Sequence, residues 1–239
     1  MTPVMRVIGS GSSGNGYFIR TDSGILLLEL GVRWKEMLSA LSYDISGVCG
    51  ALVTHVHQDH SRSVPSALAY RIPVYSCREV AEKFDGVVYL GHGKRYRIGP
   101  YIIQSIPVEH NAENYAYLIE HGDFGRLLFA TDLVDFPYRI RGLNTMMIEA
   151  NYSEDIVIDN LCRNEDSFSS PQNHMEIGRT LAVTARHRGP DLRTVVLLHL
   201  SSGNSNERKF RRLVMEALPG VDVYVADRGL EIELRKEEF

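Results

Sequence analysis

The sequence predicts an α/β fold in one domain, and three observations support this prediction. Short apolar segments typical of buried strands alternate along the chain with amphipathic segments of helical period. The 239 residues are 44% hydrophobic, which is enough to fill a sizeable core. No repeat, low-complexity tract or linker separates two parts of the chain. We therefore expect residues 1–239 to form a single domain.

Composition narrows the class of protein. No run approaches the roughly 20 apolar residues that cross a bilayer, and the amino terminus has no basic segment followed by an apolar one. These features predict a cytoplasmic protein with no membrane partner. The three cysteines, Cys49, Cys77 and Cys162, have no C-x-x-C spacing, which argues against a disulfide framework and a thiolate zinc site. The formal net charge of −4 indicates no overall attraction to nucleic acid, although a local basic patch is compatible with it.

The first predicted elements are a strand at 4–8, a glycine- and serine-rich loop at 9–16, a strand at 25–30 and a helix at 34–41. Backbone N–H groups in such a loop can line a concave turn that binds an anion. The loop lacks the Lys-Ser/Thr ending of a nucleotide-binding P-loop. A plain hairpin connection is the alternative interpretation.

A metal-binding pattern follows a short apolar strand that begins at Ala51. His55, His57, Asp59 and His60 come directly after this strand. Ionisable groups are costly to bury without a partner, and side chains two apart in an extended segment, such as His55 and His57, point the same way. Imidazole and carboxylate ligands suit zinc, and also manganese or iron. We interpret the segment as half of a site for two divalent ions, with a polar turn that happens to contain histidines as the alternative.

The H-x-H-x-D-H spacing of residues 55–60 resembles the signature motif of the metallo-β-lactamase superfamily. The resemblance implies a four-layer αββα sandwich that holds one or two metal ions at the edge of its two sheets. It also implies an acidic residue after an early strand that supports the metal-binding loop. The superfamily usually has aspartate there, whereas this chain has Glu29, whose longer side chain has a different reach toward a ligand histidine or the loop backbone.

The loop at 9–16 resembles the glycine-serine turn, ending in Gly-Asn, that opens a branch of small exonuclease-like members of the superfamily. This resemblance favours an active-site loop over a plain hairpin connection. It makes Ser12, Ser13 and Asn15 candidates for substrate binding.

Three later strand ends carry His110, Asp132 and His199, which match the remaining ligands in the family order. From the residues alone, a single histidine such as His110 is more often an ordinary turn residue, and a helix cap is the alternative for Asp132. The resemblance implies that Asp132 bridges the two ions, because one carboxylate between two cations lowers their mutual repulsion. It implies the ligand sets His55, His57 and His110 for the first ion, and Asp59, His60 and His199 for the second.

Glu149 and Asn151, at the end of a predicted strand at 145–149, are candidates to support these ligands, although a solvated strand end is the alternative. The exonuclease-like branch has a histidine in the region where His174 lies, so the resemblance implies that His174 binds the scissile phosphate or protonates the leaving oxygen. A helix-start histidine with no such role is the alternative. His187 is explained by interaction with the dipole of its own helix.

The other predicted elements have no evident chemistry. Residues 152–172 are interpreted as polar turns, with a helix beginning at 173 or 174 whose apolar stripe is Ile177, Leu181 and Ala185. A helix at 206–218 has a basic cluster that we interpret as a solvated face, with a phosphate-backbone contact as the weaker alternative. Two further helices are predicted, one capped by Ser63 and one opened by a capping box at 76–79. The remaining predicted strands are at 87–90, 101–107, 116–120, 126–130 and 194–198. Two last strands, at 221–225 and 230–234, are predicted to close the second sheet.

These inferences predict a hydrolase. Two cations flanking a water lower the pKa of the water and neutralise charge on the substrate, and Asp59 is the candidate to orient the resulting hydroxide. The leading hypothesis is a phosphodiesterase or nuclease acting on nucleic acid or a small nucleotide. The alternatives are a thioester or lactone hydrolase and a metal-stabilised binding or regulatory module. No oligomeric state is predicted.

Overall fold

The computed structural model describes residues 2–163 and 171–236, and in these residues two mixed β-sheets pack face to face between layers of helices. The strands of the first sheet, in spatial order, are β14 (Glu231–Glu233), β1 (Val4–Gly9), β2 (Gly16–Thr21), β3 (Gly24–Leu28), β4 (Val48–Leu52), β5 (Val74–Ser76) and β6 (Val88–Tyr89). Those of the second sheet are β13 (Asp222–Val225), β12 (Thr194–Leu198), β11 (Thr145–Glu149), β10 (Gly125–Ala130), β9 (Asn114–His121), β8 (Tyr101–Val108) and β7 (Arg95–Ile98). The helices are α1 (Trp34–Ala40), α2 (Gln58–Ser61), α3 (Val64–Ala69), α4 (Arg78–Lys83), α5 (Glu154–Cys162), α6 (Ile177–Arg186) and α7 (Glu207–Ala217), with a 3₁₀ turn at Pro171–Asn173.

Successive side chains of the central strands pack alternately into two different hydrophobic cores. In β10, Leu127 and Phe129 belong to the core that also contains the first sheet, while Leu128 and Ala130 belong to a second core. The second core includes Val183 of α6 and other residues of α6 and α7. Because successive strand side chains point to opposite faces, strands that are apolar on both faces are buried between a sheet and a helix layer. The predicted four-layer αββα sandwich is confirmed.

The direction of the strands decides where the site forms. Strands β3, β4, β5 and β6 run parallel in the first sheet, and β10, β11, β12 and β13 run parallel in the second. Carboxyl ends of parallel strands meet at one edge, which is where open α/β sheets form ligand sites. The residues that follow β3, β4, β8, β10, β11 and β12 therefore converge.

Two predictions about the carboxyl-terminal third of the chain are wrong. The last predicted strand does not close the second sheet, because the chain turns at 226–230 and β14 pairs antiparallel with β1 of the first sheet. Residues 152–172 are not all turns, since α5 occupies Glu154–Cys162, while 164–170 lie outside the described residues. No residue of α5 is buried, so its sequence lacks the strong apolar periodicity by which a packed helix is recognised.

Helix boundaries also differ from the prediction. Helix α6 begins at Ile177 with Glu176 as its cap. The predicted stripe is wrong at two positions, since Leu181 is only half-buried and Ala185 is exposed, while Thr180, Val183 and Thr184 are buried with Ile177. The Thr180 hydroxyl donates to the Glu149 carbonyl at 2.9 Å. The predicted capping box at 76–79 is wrong. Cys77 holds the cap position, and the Ser76 hydroxyl instead donates to the Val53 carbonyl at 2.6 Å.

None of the helices in the described part of the chain is long and apolar enough to cross a lipid bilayer.

Candidate metal centre

The structure brings all seven predicted ligand side chains together at the shared sheet edge. His55 and His57 follow β4, with Asp59 and His60 in the short helix α2. The other three, His110, Asp132 and His199, follow β8, β10 and β12. Their nitrogen and oxygen atoms fall into two groups that share Asp132, and within each group the atoms lie within 4.8 Å of one another.

The first group consists of three imidazoles and one carboxylate oxygen. His55 Nε2 lies 2.9 Å from His57 Nδ1, which lies 3.3 Å from His110 Nε2. Asp132 Oδ2 is 3.8 Å from His55 Nε2 and 3.9 Å from His110 Nε2. Three ring nitrogens and an oxygen therefore converge on one point.

The second group lies on the other side of the same aspartate. Asp132 Oδ1 is 3.3 Å from His60 Nε2 and 3.6 Å from His199 Nε2. Asp59 Oδ2 is 3.4 Å and 3.5 Å from the same two nitrogens. The two oxygens of Asp132 thus face different groups, which is the arrangement that a bridging carboxylate requires.

The donor set fits divalent cations. Unprotonated imidazole nitrogens and carboxylate oxygens are ligands for zinc, manganese and iron, and in each group they converge as close neighbours rather than pointing apart. His55 Nε2 and His57 Nδ1 are 2.9 Å apart, so a single proton between them can bond to only these two nitrogens. A metal cation can accept the lone pairs of all the imidazoles in the group at once.

Other side chains hold the ligand rings from outside. Thr54 Oγ1 lies 2.9 Å from His55 Nδ1, and the Asn173 carbonyl lies 3.0 Å from His110 Nδ1. Glu29, fully buried, places Oε1 3.3 Å from His60 Nδ1 and accepts from the backbone N–H of Thr54 at 3.3 Å through Oε2. Contacts at the far ring nitrogen fix ring orientation and leave the other nitrogen free for a metal.

His199 is supported by the two residues that the sequence nominated on β11 and just beyond it. Asn151 Nδ2 donates to the His199 carbonyl at 2.8 Å and lies 3.0 Å from His199 Nδ1. Glu149 Oε1 is 3.6 Å from the same Nδ1. Both side chains are buried, so the alternative of a solvated strand end is wrong.

The buried charges shift one another's pKa. Burial raises the pKa of Asp132, but the charges of His199 and His60 outweigh it and hold the pKa well below its usual range. Burial lowers the pKa of His199, whereas the Asp132 carboxylate and a hydrogen bond with Asp59 raise it, and the result is about 9. At His55 burial dominates, and its pKa lies well below the ordinary value. The buried carboxylate of Asp132 is therefore stable as an anion only beside positive charge, which divalent cations would provide at this site.

His174 lies beside the second group and forms a pair with Glu149. Its Nδ1–H donates to Glu149 Oε1 at 2.7 Å, and its ring stacks on that of His199 with centroids 5.2 Å apart. Burial lowers the pKa of His174, but the hydrogen bond and charge of Glu149 outweigh it and raise the pKa. His174 is not at a helix start, since it precedes the Glu176 cap. Nδ1 is thus engaged by Glu149, and 19% of the His174 side chain is accessible to solvent.

The glycine-serine loop divides into two parts. Ser12 and Ser13 are exposed at its tip, and Ser10 and Asn15 on either side of them contact His199 and His60. Asn15 is fully buried, with its side chain bonded to Gly11 and 3.0 Å from His60 Nε2. Burial therefore removes Asn15 from contact with a substrate, and its side chain instead holds the loop through Gly11 and the Asp59 carbonyl.

Sequence reasoning missed three supporting residues. Ser10 Oγ accepts from the His199 N–H at 2.9 Å, and the Asn114 side chain donates to the Thr131 carbonyl at 3.0 Å and to that of Asp132. Thr54 is the third, and its position directly before His55 was a usable signal. Nothing local marks Ser10 or Asn114, because the partners of their side chains are distant in the sequence.

The histidines that were left out of the site lie elsewhere. His92 is exposed in a turn, and His121 stacks on Phe124 with centroids 5.3 Å apart. His187 donates through Nδ1 to the Val183 carbonyl at 2.8 Å, so its interaction with the end of α6 is a hydrogen bond. Burial is the main cause of its lowered pKa, and the ring is neutral.

Comparison with known sequences decides the family. The sequence profile described as the metallo-beta-lactamase superfamily matches residues 9–135, which is more than half of the chain. The match includes six of the seven ligand positions, all except His199. The chain belongs to the metallo-beta-lactamase superfamily. Its fold and its clustered histidines and aspartates are those of a metallo-hydrolase.

Individual relatives are distant. The chain is 26% identical over 168 residues to the exodeoxyribonuclease YycJ of Bacillus anthracis, an alignment that covers 63% of this chain and 64%, less than two thirds, of that protein. It is 24% identical over 246 residues to the exodeoxyribonuclease WalJ of Streptococcus pneumoniae, covering 92% and 89%. The crystal structure of the metallo-beta-lactamase fold protein YhfI from Bacillus subtilis matches with a TM-score of 0.77 at 16% identity, covering 97% of this chain and 99% of that one. That structural match shows the fold.

Proposed function

We propose that this metallo-hydrolase is a phosphodiesterase that cleaves nucleic acid or nucleotides with two divalent cations. The observation that carries the proposal is the position of Asp132, whose two carboxylate oxygens face two separate sets of ligands. The proposed ligands are His55, His57 and His110 for one ion, and Asp59, His60 and His199 for the other, with Asp132 between them. Zinc is our first choice of metal, with manganese and iron as alternatives.

The choice of a phosphodiester rests on two supports. Both sequence relatives are named exodeoxyribonucleases. The exposed Ser12 and Ser13 lie at the tip of a loop whose Ser10 and Asn15 contact His199 and His60, and their hydroxyl and backbone N–H donors suit phosphate oxygens. We propose that this loop contacts the phosphate on one side of the scissile bond.

The chain's own residues have distinct parts in the proposed reaction. Two bound divalent cations supply an acidified water and neutralise the charge that develops on the phosphoryl group. Asp59, the more exposed of the two site aspartates with 22% of its side chain accessible, accepts a hydrogen bond from the attacking water and orients it. His174 protonates the leaving oxygen from Nε2, and Glu149 holds its ring and keeps it charged.

Metal content and hydrolysis of bis(p-nitrophenyl) phosphate test this proposal. We expect two divalent ions per chain in the purified protein. We expect His57→Ala and Asp132→Asn to lose metal and to lower kcat/KM by about 100-fold or more, since even groups outside the ligand set change activity by about 10- to 100-fold. The matched controls are His92→Ala and Asp85→Asn, which change exposed residues outside the centre.

The same assay separates the competing functions. Turnover of lactones or thioesters without turnover of any phosphodiester contradicts the proposal and favours carbonyl chemistry at the same ions. Stoichiometric metal without turnover of any ester favours a binding module. Equal metal loss in His92→Ala and His57→Ala shows that the metal is not held by the proposed ligands.

A further inference from the structure

A cluster of arginines lies on the outer helical layer of the second sheet, outside the metal centre. Arg139 and Arg141 lie on the segment that follows Asp132, and Arg186 and Arg188 lie at the end of α6. Together they line a cavity of about 320 Å³, which we call the arginine pocket. Asp191 is the one carboxylate among its described lining residues, so the pocket is strongly positive in a chain whose net charge is −4.

The charges of the pocket have few partners within the protein. Among the described residues, no carboxylate forms an ion pair with Arg139, Arg141, Arg186 or Arg188. The basic helix α7 differs, because Lys209 pairs with Asp155 at 3.6 Å and Arg212 with Glu216 at 3.8 Å. Clustered like charges repel one another, and an anionic ligand removes this cost. The pocket is therefore the better candidate of the two for contact with an anion.

Specific hydrogen bonds hold the two sides of the pocket together. Arg186 Nη1 donates to the Phe136 carbonyl at 3.0 Å, and the Ile140 N–H donates to His187 Nε2 at 3.1 Å. His187 is buried and anchored to Val183 on α6. The segment with Arg139 and Arg141 is thus fixed against α6, and the guanidinium groups start from an ordered backbone.

The pocket and the metal centre lie toward opposite ends of α6, because the pocket residues Leu143 and Leu192 precede β11 and β12 whereas the metal ligands follow strand ends. Helix α6 begins three residues after His174 and ends at Arg186, and its ten residues give it a length of about 15 Å. On the other side of the pocket, the Tyr138 hydroxyl donates to the Pro107 carbonyl, near His110, at 3.2 Å. A B-form strand covers about 15 Å in four to five nucleotides at 3.4 Å each, and an extended strand needs fewer.

Tyr138 adds an aromatic surface beside the arginines. Tyr138 directly precedes Arg139 in the sequence and is 43% exposed. Its ring packs edge-on against the ring of Phe136, with centroids 5.4 Å apart. Positive charge that tracks a backbone, together with an exposed aromatic ring on which a base stacks, is the combination that binds single-stranded nucleic acid.

We propose that Tyr138 and the arginine pocket bind the phosphate backbone of a single nucleic-acid strand whose scissile phosphate lies in the metal centre. This inference rests on the proposed phosphodiesterase function and narrows its substrate class from any phosphodiester to a nucleic-acid strand. The pocket binds the part of the strand that lies several nucleotides from the cleaved bond. A small phosphodiester reaches only the centre.

The pocket is tested by binding of a fluorescently labelled, single-stranded oligonucleotide, measured by fluorescence anisotropy across a series of salt concentrations. Phosphorothioate linkages in the oligonucleotide prevent its cleavage during the measurement. We expect Arg139→Ser/Arg188→Ser to weaken binding about 10-fold or more at low salt and to reduce the salt slope by about 1.4, since each lost phosphate contact removes about 0.7. The matched control is Lys35→Ser/Lys94→Ser, which removes the same charge from two exposed lysines outside the pocket. If the arginine double variant binds the oligonucleotide as tightly as the lysine double variant, the proposal is overturned.

Tyr138 is tested separately. We expect Tyr138→Ala to weaken oligonucleotide binding about 10-fold and Tyr138→Phe to retain it, because stacking needs the ring and not the hydroxyl. Equal loss in both variants overturns the stacking role, since it assigns the effect to the hydrogen bond with Pro107.

Hydrolysis of bis(p-nitrophenyl) phosphate separates this inference from the proposed function. We expect Arg139→Ser/Arg188→Ser to leave that hydrolysis unchanged. If the unaltered protein hydrolyses no phosphodiester, the proposed function fails, while oligonucleotide affinity still decides about the pocket. Arginine-dependent binding to phosphatidylglycerol vesicles without oligonucleotide binding overturns the inference in favour of a lipid surface.

Discussion

At the scale of single residues, three side chains of the centre stand on strained backbone. Glu29, Asp132 and His199 have φ values of 64°, 54° and 52°, in the left-handed region that non-glycine residues seldom adopt. Each directly follows or closely follows the end of a strand. The strain turns the side chain toward the site as the chain leaves the sheet, and the buried contacts of these residues offset its cost, which is about 1 to 3 kcal/mol per residue.

The pair of His174 and Glu149 makes a prediction about pH. If protonated His174 donates the proton to the leaving oxygen, activity falls as pH rises through its pKa, which Glu149 raises. Glu149→Gln removes the charge that raises the pKa, so we expect the alkaline limb of the kcat profile to move to lower pH. His174→Gln should keep its metal, lower kcat and lack that limb.

Metal analysis and kcat profiles for phosphodiester cleavage provide the measurement, and His92→Gln is the matched control. An unchanged rate in His174→Gln removes this residue from the catalytic set. Loss of metal in His174→Gln assigns the residue to the ligands, which its distance from Asp132 and His199 also permits.

At the scale of elements, the glycine-serine loop and the metal-binding loop fit together through glycines. A Cβ atom on Gly31 falls 1.5 Å from the Asp59 carbonyl oxygen, and one on Gly14 falls 2.7 Å from the Gly31 carbonyl oxygen. The Asn15 N–H also donates to the Asp59 carbonyl at 2.8 Å. Backbone contacts between the two loops therefore help to set the position of Asp59 and His60, together with the side chains of Asn15 and Glu29.

Gly31→Ala tests this contact. We expect the added methyl group to displace the segment that holds Asp59 and His60, and to lower both metal content and thermal stability, because the clash is with backbone and cannot be relieved by a rotamer change. The control is Gly122→Ala, at a turn where no atom lies within 4 Å of the added Cβ. Full metal occupancy in Gly31→Ala contradicts the account.

At the scale of the whole molecule, the centre joins the two sheets. His55 and His60 follow a strand of the first sheet, while His110, Asp132 and His199 follow strands of the second. Each of the five is contacted by a residue outside the ligand set. Cations bound here connect both halves of the sandwich. We propose on this basis that the chain unfolds as a single domain.

Chelation of the metal tests this view. A ligand at 1,000 times its dissociation constant stabilises the native state by about 4 kcal/mol, and chains of this size shift by about 2–4 °C per kcal/mol. We expect EDTA to lower the melting temperature by roughly 10 °C while one transition is retained, and added zinc to reverse the change. Calorimetry that resolves two transitions, only one of them sensitive to metal, contradicts the single-domain proposal.

The sequence by itself determined an α/β domain and the spacing of the His55–His60 motif, because apolar strands and motif spacing are local signals. The resemblance of that motif to the superfamily signature implied the sandwich and the order of the strand-end ligands. Only the tertiary structure decided that Asn15 is buried against His60, that β14 joins the first sheet, and that Ser10 and Asn114 support residues far along the chain. It also decided that the segment after Asp132 packs on the end of α6 and gathers four arginines there. These features depend on contacts between distant segments, and local sequence pattern does not specify which distant segments meet.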